Sequence, residues 1–186
     1  MEEQELASRC SRGDSPAQRE LYERYAGRLL SVCLRYIPER EVAEDLLHDA
    51  FIRIFSSFSK FSYRGEGSLR AWMERIMVNE ALLYLRKQDV LSQAVELDGL
   101  PPGSMQPYDE PDEETVERIP EEVLMQMIAE LPAGYRMVFN LFVFEGKSHR
   151  EIARLLDINE KSSSSQLARA KAQLARRVRE WEEANG

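Results

Sequence analysis

Residues 150–174 read REIARLLDINEKSSSSQLARAKAQL, and their pattern indicates how the C-terminal part of the chain folds. Its first half has apolar residues at helical spacing, with the small Ala153 where two helices would cross. Asp157 follows at a tight turn, where aspartate tolerates the left-handed backbone conformation better than most residues. In the second half an inward apolar face is formed by Leu167, Ala170 and Leu174. The pattern predicts a helix-turn-helix.

The polar residues of the last predicted helix, over residues 162 to 181, are candidates for contact with DNA. A helix-turn-helix presents the start and outer surface of its second helix to the major groove. We expect Arg169 and Lys171 to contact phosphates there. The complete set expected at this surface is Lys161, Ser163, Ser164, Gln166, Arg169 and Lys171. For any single helix pair, a generic helical hairpin explains the same pattern.

Helical spacing also dominates the N-terminal half. A helix is predicted from Ser15 to Pro38, with Pro16 at its first position and Gln18 completing a capping box. Further helices are predicted at 41–57, 68–87, 122–130, 133–144 and 148–155. Strand-type alternation is nearly absent, so the predicted fold class is all-α.

Charge and composition predict two small helical domains, 1–88 and 122–186, joined by a linker over 89–121. Residues 89–122 hold five prolines and 11 acidic side chains against 1 basic one, which is linker composition. Residues 1–88 carry 14 side chains of each sign, and residues 123–186 carry 10 basic and 8 acidic ones. The net charge of −8 therefore does not exclude a nucleic-acid partner, because the acidity lies in the middle.

Several classes of protein disagree with the composition. No apolar run approaches the roughly 18 residues of a membrane span, and the acidic, polar start does not resemble a secretory signal. Cys10 and Cys33 are far apart, without a CxxC motif, so we expect neither a metal site nor a disulfide. The sequence predicts a cytoplasmic protein without membrane insertion and without a cofactor.

The predicted helix at 41–57 has a broad apolar face and an unusual opposite face. That opposite face holds Asp45, His48, Asp49 and Ile52. A solvated polar face is the ordinary interpretation of such a set. However, an isoleucine ringed by charged residues on an outer face is typical of a docking patch.

The predicted helix at 68–87 carries a lane of Trp72, Arg75, Asn79 and Arg86 between two apolar sides. Arginine reaches phosphates, asparagine hydrogen-bonds base edges and aromatic rings stack on exposed bases. The preceding loop adds Phe61, Tyr63 and Arg64. The lane therefore suits nucleic acid. The alternative is that Trp72 is a core residue and the arginines are surface ions, and for Trp72 alone this alternative is the better interpretation.

Three segments together resemble the extracytoplasmic-function (ECF) sigma factors of bacterial RNA polymerase. AEDLLHDAFIRIF (43–55) is similar to the family's polymerase-clamp-binding helix. FSYRGEGSLRAWMERIMVNEALLYLRK (61–87) is similar to its promoter-melting and minus-10-reading segment. LPAGYRMVFNLFVFEGKSHREIARLLDINEKSSSSQLARAKAQL (131–174) is similar to its minus-35-reading domain. Three motifs in this order are much more specific than any one of them.

The resemblance implies a function in transcription initiation, with core RNA polymerase and promoter DNA as partners and an anti-sigma factor as a further partner class. It places polymerase contacts at Asp45, His48 and Asp49, and the apolar Ile52 among them completes the expected polymerase-binding set. It places a base contact with the minus-10 single strand at Asn79. The lane and loop chemistry adds Tyr63, Arg64, Arg75 and Arg86 to the expected minus-10 set. The duplex minus-35 element would be read by the helix from Lys161, and the acidic linker would thread a basic channel of the polymerase.

This sequence departs from the family pattern at four positions. His48 stands where many members have glutamine, and Leu83 where many have aspartate or asparagine. Ser164 stands where a basic residue is common, and Asp157 where glycine is frequent.

Two other functions are open from the sequence. The chain could be a helix-turn-helix regulator that shifts promoter DNA without polymerase. The His48–Asp49 dipeptide also occurs in metal-dependent phosphohydrolases, but such a site needs further ligands, and the second histidine, His149, falls in the other domain. We therefore expect no enzyme activity.

Overall fold

The computed structural model describes residues 1–88 and 109–186 of the chain. In these two ranges the regular structure is helical, without a strand. The N-terminal range contains α1 (Glu3–Ser11), α2 (Ser15–Tyr36), α3 (Arg40–Ser57), a 3-10 turn (Phe58–Lys60) and α4 (Ser68–Lys87). The C-terminal range contains α5 (Glu113–Glu117), α6 (Glu121–Ala129), α7 (Ala133–Val143), α8 (His149–Leu156) and α9 (Glu160–Asn185). The predicted all-α class is confirmed.

The chain divides into two compact units, Met1–Tyr84 and Leu85–Gly186. In the first unit, α2 packs on α3, and α1 packs on α2 and on the 3-10 turn. Apolar side chains from all four helices meet in a core whose fully buried members include Leu6, Leu21, Leu29, Ile54, Leu69, Met73 and Met77. Burial of these side chains holds the helices together.

The N-terminus of α2 differs from the prediction by one residue. The side chain of Asp14, rather than that of Ser15, caps the helix, and it accepts a hydrogen bond from the Ala17 amide at 3.3 Å. Asp14 also accepts a hydrogen bond from Arg9 Nε at 2.7 Å. The predicted capping box of Ser15 and Gln18 is therefore wrong, although Pro16 lies in the first turn as expected.

Helix α1 was not predicted from the sequence. Its nine residues are too few to show a strong period, yet Leu6, Ala7 and Cys10 are buried along one side. This helix is stabilised by packing against its neighbours and not by its own propensity.

In the second unit, α7, α8 and α6 pack against the long helix α9. Ser148 and Glu151 form a capping box at the start of α8, since each side chain bonds the other residue's amide. The turn between α8 and α9 passes through Asp157, whose φ is 54°. The left-handed conformation predicted for Asp157 is confirmed.

Part of the segment predicted as a linker is helical. Asp112 caps α5 by accepting a hydrogen bond from the Thr115 amide at 2.7 Å. Arg118 Nη2 donates to Glu182 Oε1 of α9 at 3.1 Å, which ties this segment to the second unit. The linker predicted at 89–121 is thus ordered from residue 112 onward, and residues 89–108 lie outside the described residues.

Within residues 1–88 and 109–186, no helix is both long enough and apolar enough to cross a membrane.

Candidate functional site

The outer face of α3 presents acidic and apolar groups together. Asp45, His48 and Asp49 are all exposed, and the side chain of Ile52 is 68% exposed. The opposite side of the helix is held in the core by Leu46, Leu47, Ala50, Phe51 and Ile54. The buried side therefore fixes the direction in which these four residues point. Ile52 is thus an exposed apolar group on an otherwise polar face.

A second stripe of exposed side chains runs along α4. Arg75, Asn79 and Arg86 are exposed, and Leu83 on the same stripe is 39% exposed. The neighbouring Glu80 is only 8% exposed and pairs with Arg53 of α3 at 2.5 Å. This ion pair joins α3 to α4 within the N-terminal unit.

An aromatic cluster supports the loop before α4. The ring of Trp72 lies 5.2 Å from that of Phe58 and 4.9 Å from that of Phe61, measured between centroids. Trp72 and Tyr63 are both half-buried and Arg64 is exposed, but the Trp72 ring packs on the buried Phe58. The core interpretation therefore describes Trp72 better than an open stacking surface does.

The predicted reading surface of α9 is only partly exposed. Lys161 and Ser164 are exposed, and Arg169 and Lys171 are half-buried. Ser163 and Gln166 are buried, at 0% and 1% exposure. The expected outer-surface position of Ser163 and Gln166 is therefore wrong: both lie on the stripe that continues into Leu167 and Ala170, where the helix packs inward.

The buried Ser163 connects the two helices of the helix-turn-helix. Its Oγ lies 2.8 Å from His149 Nδ1 at the start of α8. The imidazole in turn stacks on Phe142 of α7, with 4.9 Å between ring centroids and 20° between planes. This contact orients the start of α9 relative to α8, a role that the sequence analysis did not assign to either residue.

The exposed set at the start of α9 also includes a residue that the sequence analysis missed. Ser165 is half-exposed, and it lies four residues after Lys161 and four before Arg169. This spacing places the three side chains on one face of the helix. Ser165 was predictable, because a helix that turns Leu167 and Ala170 inward places Ser165 on the opposite side. Lys171, by contrast, borders an apolar groove lined by Phe139, Phe144 and Leu174.

The metal-site alternative involves His48 and Asp49. Both side chains are exposed on α3. Among the described residues, no group of three or more histidine, cysteine, aspartate or glutamate side chains is placed to hold a metal ion.

Comparison with known families assigns both units. Residues 21–90 match the family described as Sigma-70 region 2, and residues 121–174 match Sigma-70, region 4. The α3 face and the α4 stripe lie in the first match, and the helix-turn-helix lies in the second. The combination and order of these two regions define a sigma factor of bacterial RNA polymerase.

Whole-chain relatives agree with this class. The ECF RNA polymerase sigma-E factor of Escherichia coli (strain K12) is 27% identical over 182 residues, which cover 95% of this chain and 94% of that protein. The sigma-E factors of Salmonella typhi and Haemophilus influenzae are 26% and 27% identical, at similar coverage. The chain belongs to the extracytoplasmic-function sigma factors. As a member of this family it directs promoter recognition in transcription initiation, and the stand-alone regulator is not favoured.

Two solved structures are also similar. CnrH, solved with the cytosolic domain of CnrY, is 22% identical with a TM-score of 0.44, and the match covers 97% of each chain. The sigma factor RpoE of Bartonella quintana, solved with the anti-sigma factor NepR, is 18% identical with a TM-score of 0.47. That match covers 84% of this chain and 92% of RpoE.

Proposed function

We propose that the chain binds core RNA polymerase through the outer face of α3, opens the minus-10 element with α4 and its preceding loop, and reads the minus-35 duplex with α9. The observation that carries this proposal is the exposed Ile52 among Asp45, His48 and Asp49, inside the region 2 match. A face of this composition suits a basic partner surface with an apolar pocket.

Contact with the opened strand is assigned to Tyr63, Arg64, Arg75, Asn79 and Arg86. Four of these five are exposed, and Tyr63 is half-exposed. A base that leaves the duplex must be stacked and hydrogen-bonded elsewhere, which aromatic, guanidinium and amide groups provide. The aromatic cluster of Phe58, Phe61 and Trp72 gives the loop a firm base for that purpose.

Contact with the duplex minus-35 element is assigned to the outward face of the first half of α9. Lys161, Ser164 and Arg169 form this surface, and we add Ser165 to it. The buried Ser163 and Gln166 support the helix from inside. The short serines allow close approach of the helix to base edges, while the cations contact phosphates.

Run-off transcription with purified core polymerase and a promoter library tests the proposal. We expect specific transcripts only when the chain and the core enzyme are combined, and only weak shifts of promoter DNA by the chain alone. Tight and specific DNA binding without polymerase, together with no added transcripts, would restore the stand-alone regulator.

The place of action and the absence of catalysis follow from this proposal. RNA polymerase works in the cytoplasm, so we place the chain there. Sigma factors are initiation factors and not enzymes, and we propose that this chain contributes binding energy to strand opening without a catalytic step of its own. Core polymerase and promoter DNA are the proposed partners, and an anti-sigma factor stays a prediction of the resemblance.

A further inference from the structure

Helix α4, which carries the exposed stripe of Arg75, Asn79 and Arg86, begins without a capping side chain of its own. The Gly67 carbonyl accepts the first helical hydrogen bond of α4, from the Ala71 amide at 3.0 Å. Gly67 is therefore the N-cap residue, and glycine has no side chain to bond the free amides of the first turn. Its φ of 84° also lies in the region where other residues are strained.

The missing cap comes from α1, far away in the sequence. Glu3 Oε2 accepts a hydrogen bond from the Gly67 amide at 3.0 Å, and Glu3 Oε1 accepts one from the Leu69 amide at 3.0 Å. One carboxylate thus bonds two amides at a helix N-terminus, where negative charge is favoured by the helix dipole. Glu3 is half-buried, so these bonds are partly shielded from water.

Glu3 is itself held in place by the fold. Leu6 of the same helix is fully buried, and Arg24 Nη1 of α2 donates to the Met1 carbonyl at 3.1 Å. The carboxylate therefore connects the packed α1–α2 pair to the start of α4.

The loop with the proposed melting residues ends at this cap. Ser68 Oγ accepts a hydrogen bond from the Arg64 amide at 3.1 Å and donates to the Gly65 carbonyl at 2.6 Å. Tyr63 lies within electrostatic range of the Glu3 carboxylate. Partial burial raises the pKa of the Tyr63 hydroxyl, and the charges of Glu3, Glu66 and Glu2 add to this effect. The position of the loop thus depends on the backbone that Glu3 bonds.

We propose that Glu3 is a positioning residue for promoter opening, whose carboxylate fixes the start of α4 so that Tyr63 and Arg64 meet the unpaired strand in one geometry. This inference rests on the proposed function of the loop. A loop ordered in advance captures a flipped base without an added ordering cost, and a loose loop loses that advantage. Glu3 acts through the backbone and touches no DNA.

The test compares Glu3→Ala and Glu3→Gln with Glu5→Ala, a control at an exposed glutamate of the same helix. Glu3→Ala should speed hydrogen exchange at the Gly67 and Leu69 amides and slow open-complex formation on duplex promoters about fivefold, as expected for the loss of one helix cap. Core binding and transcription from a premelted template should stay close to wild type. Glu3→Gln keeps one side-chain oxygen that can accept a hydrogen bond. Its exchange and opening rates should therefore lie between those of wild type and Glu3→Ala.

Three results would overturn the inference. Unchanged exchange would show that the cap is not formed in solution. Faster exchange with normal opening would remove the positioning role. An equal loss on duplex and premelted templates, together with weaker core binding, would mean that Glu3 only stabilises the fold.

Tyr63→Ala separates this inference from the proposed function. If Tyr63→Ala slows opening and Glu3→Ala does not, only the positioning role fails. If neither variant affects opening, the loop is not the melting element and the proposed function of this segment fails with it.

Discussion

Gln166 of α9 is 1% exposed, and both polar atoms of its side chain lack a hydrogen-bond partner among the described residues. A buried amide without partners costs about 1–3 kcal/mol relative to its hydrated form. Gln166 lies on the inward stripe of the helix, behind the surface that we propose contacts the minus-35 element. Gln166 therefore lowers the unfolding free energy of the C-terminal unit.

Replacing Gln166 with methionine, which has a similar shape and no amide, should raise the unfolding free energy of this unit by about 1 kcal/mol. Native-state hydrogen exchange at the α9 amides measures that energy within the unit. Gln173→Met, at a half-buried position of the same helix, is the control and should change it by less than about 0.5 kcal/mol. Promoter preference should not change, and a relaxed preference would return Gln166 to the reading surface.

Asp14 gives the N-terminal unit a component of stability that depends on pH. The hydrogen bond from Arg9, followed by that from the Ala17 amide, lowers the pKa of Asp14 below its ordinary value of 3.8. A lowered folded-state pKa means that this stabilisation is present above the unfolded pKa and disappears as the pH falls through the folded one.

Asp14→Asn should therefore destabilise the unit at neutral pH, and the difference from wild type should vanish in strong acid. Urea titrations from pH 7 down to about pH 2 measure this dependence. Glu5→Gln removes an exposed carboxylate nearby as a control. A constant difference at all pH values would mean that the asparagine disturbs packing and that the charge is not responsible.

Helix α3 has one buried face and one exposed face. Its buried side builds the core, while Asp45, Asp49 and Ile52 are free to contact a partner. Substitutions on the exposed face can therefore test docking without disturbing the fold.

The double substitution of Asp45 and Asp49 to Asn should weaken binding to core polymerase about tenfold or more, because buried interfacial charge pairs are costly to break. Helix content by circular dichroism should stay unchanged. The double substitution of Glu5 and Glu23 to Gln, at exposed positions of α1 and α2, matches the charge change. Equal affinity of the two doubles in a titration would exclude the α3 face from docking.

The helices show what the sequence pattern could and could not predict. Helix α4 begins at Ser68 and ends at Lys87 as predicted, because its apolar positions repeat over five turns. Helix α1 escaped prediction, since its nine residues are too few to show a strong period and its stability comes from packing on α2 and on the 3-10 turn. Ser163 was misplaced because its polar type suggested the surface, although it precedes Leu167 by four residues on the inward stripe.

The interaction of Glu3 with α4 is the clearest example of what single-sequence patterns omit. No local signal connects residues that are 64 and 66 positions apart. The exposure of Ile52, by contrast, was predictable from its helical position alone, because it lies opposite the apolar face of α3. Local periodicity thus predicts elements and faces, while contacts between distant segments need the folded chain.

Along the chain, charge is divided unevenly between the two sigma regions and the segment that joins them. Residues 89–122 hold 11 acidic side chains and 1 basic one. At physiological salt such charges repel phosphates over about 8 Å, so they act mainly when DNA approaches both regions at once. Asp112 differs from its neighbours, because it caps α5 and its pKa is lowered by the Thr115 amide.

Neutralising Asp109, Glu110, Glu113 and Glu114 to Asn and Gln, with Asp112 kept to preserve the cap, should tighten DNA binding by the free chain. Removing four negative charges lessens the repulsion, and the difference from wild type should shrink as salt is raised. A control that neutralises Glu2, Glu5, Glu23 and Glu183, all exposed, matches the change in net charge. If only the segment variant binds DNA more tightly, the position of the charge matters and the segment restrains the free chain. A second assay measures the release of short transcripts by polymerase that carries the segment variant. If the acidic segment threads a basic channel of the polymerase, as the family resemblance implies, this release should differ from wild type. If the segment variant behaves like the control in both assays, the segment neither restrains DNA binding nor occupies the channel. It would then act only as an acidic tether between the two sigma regions.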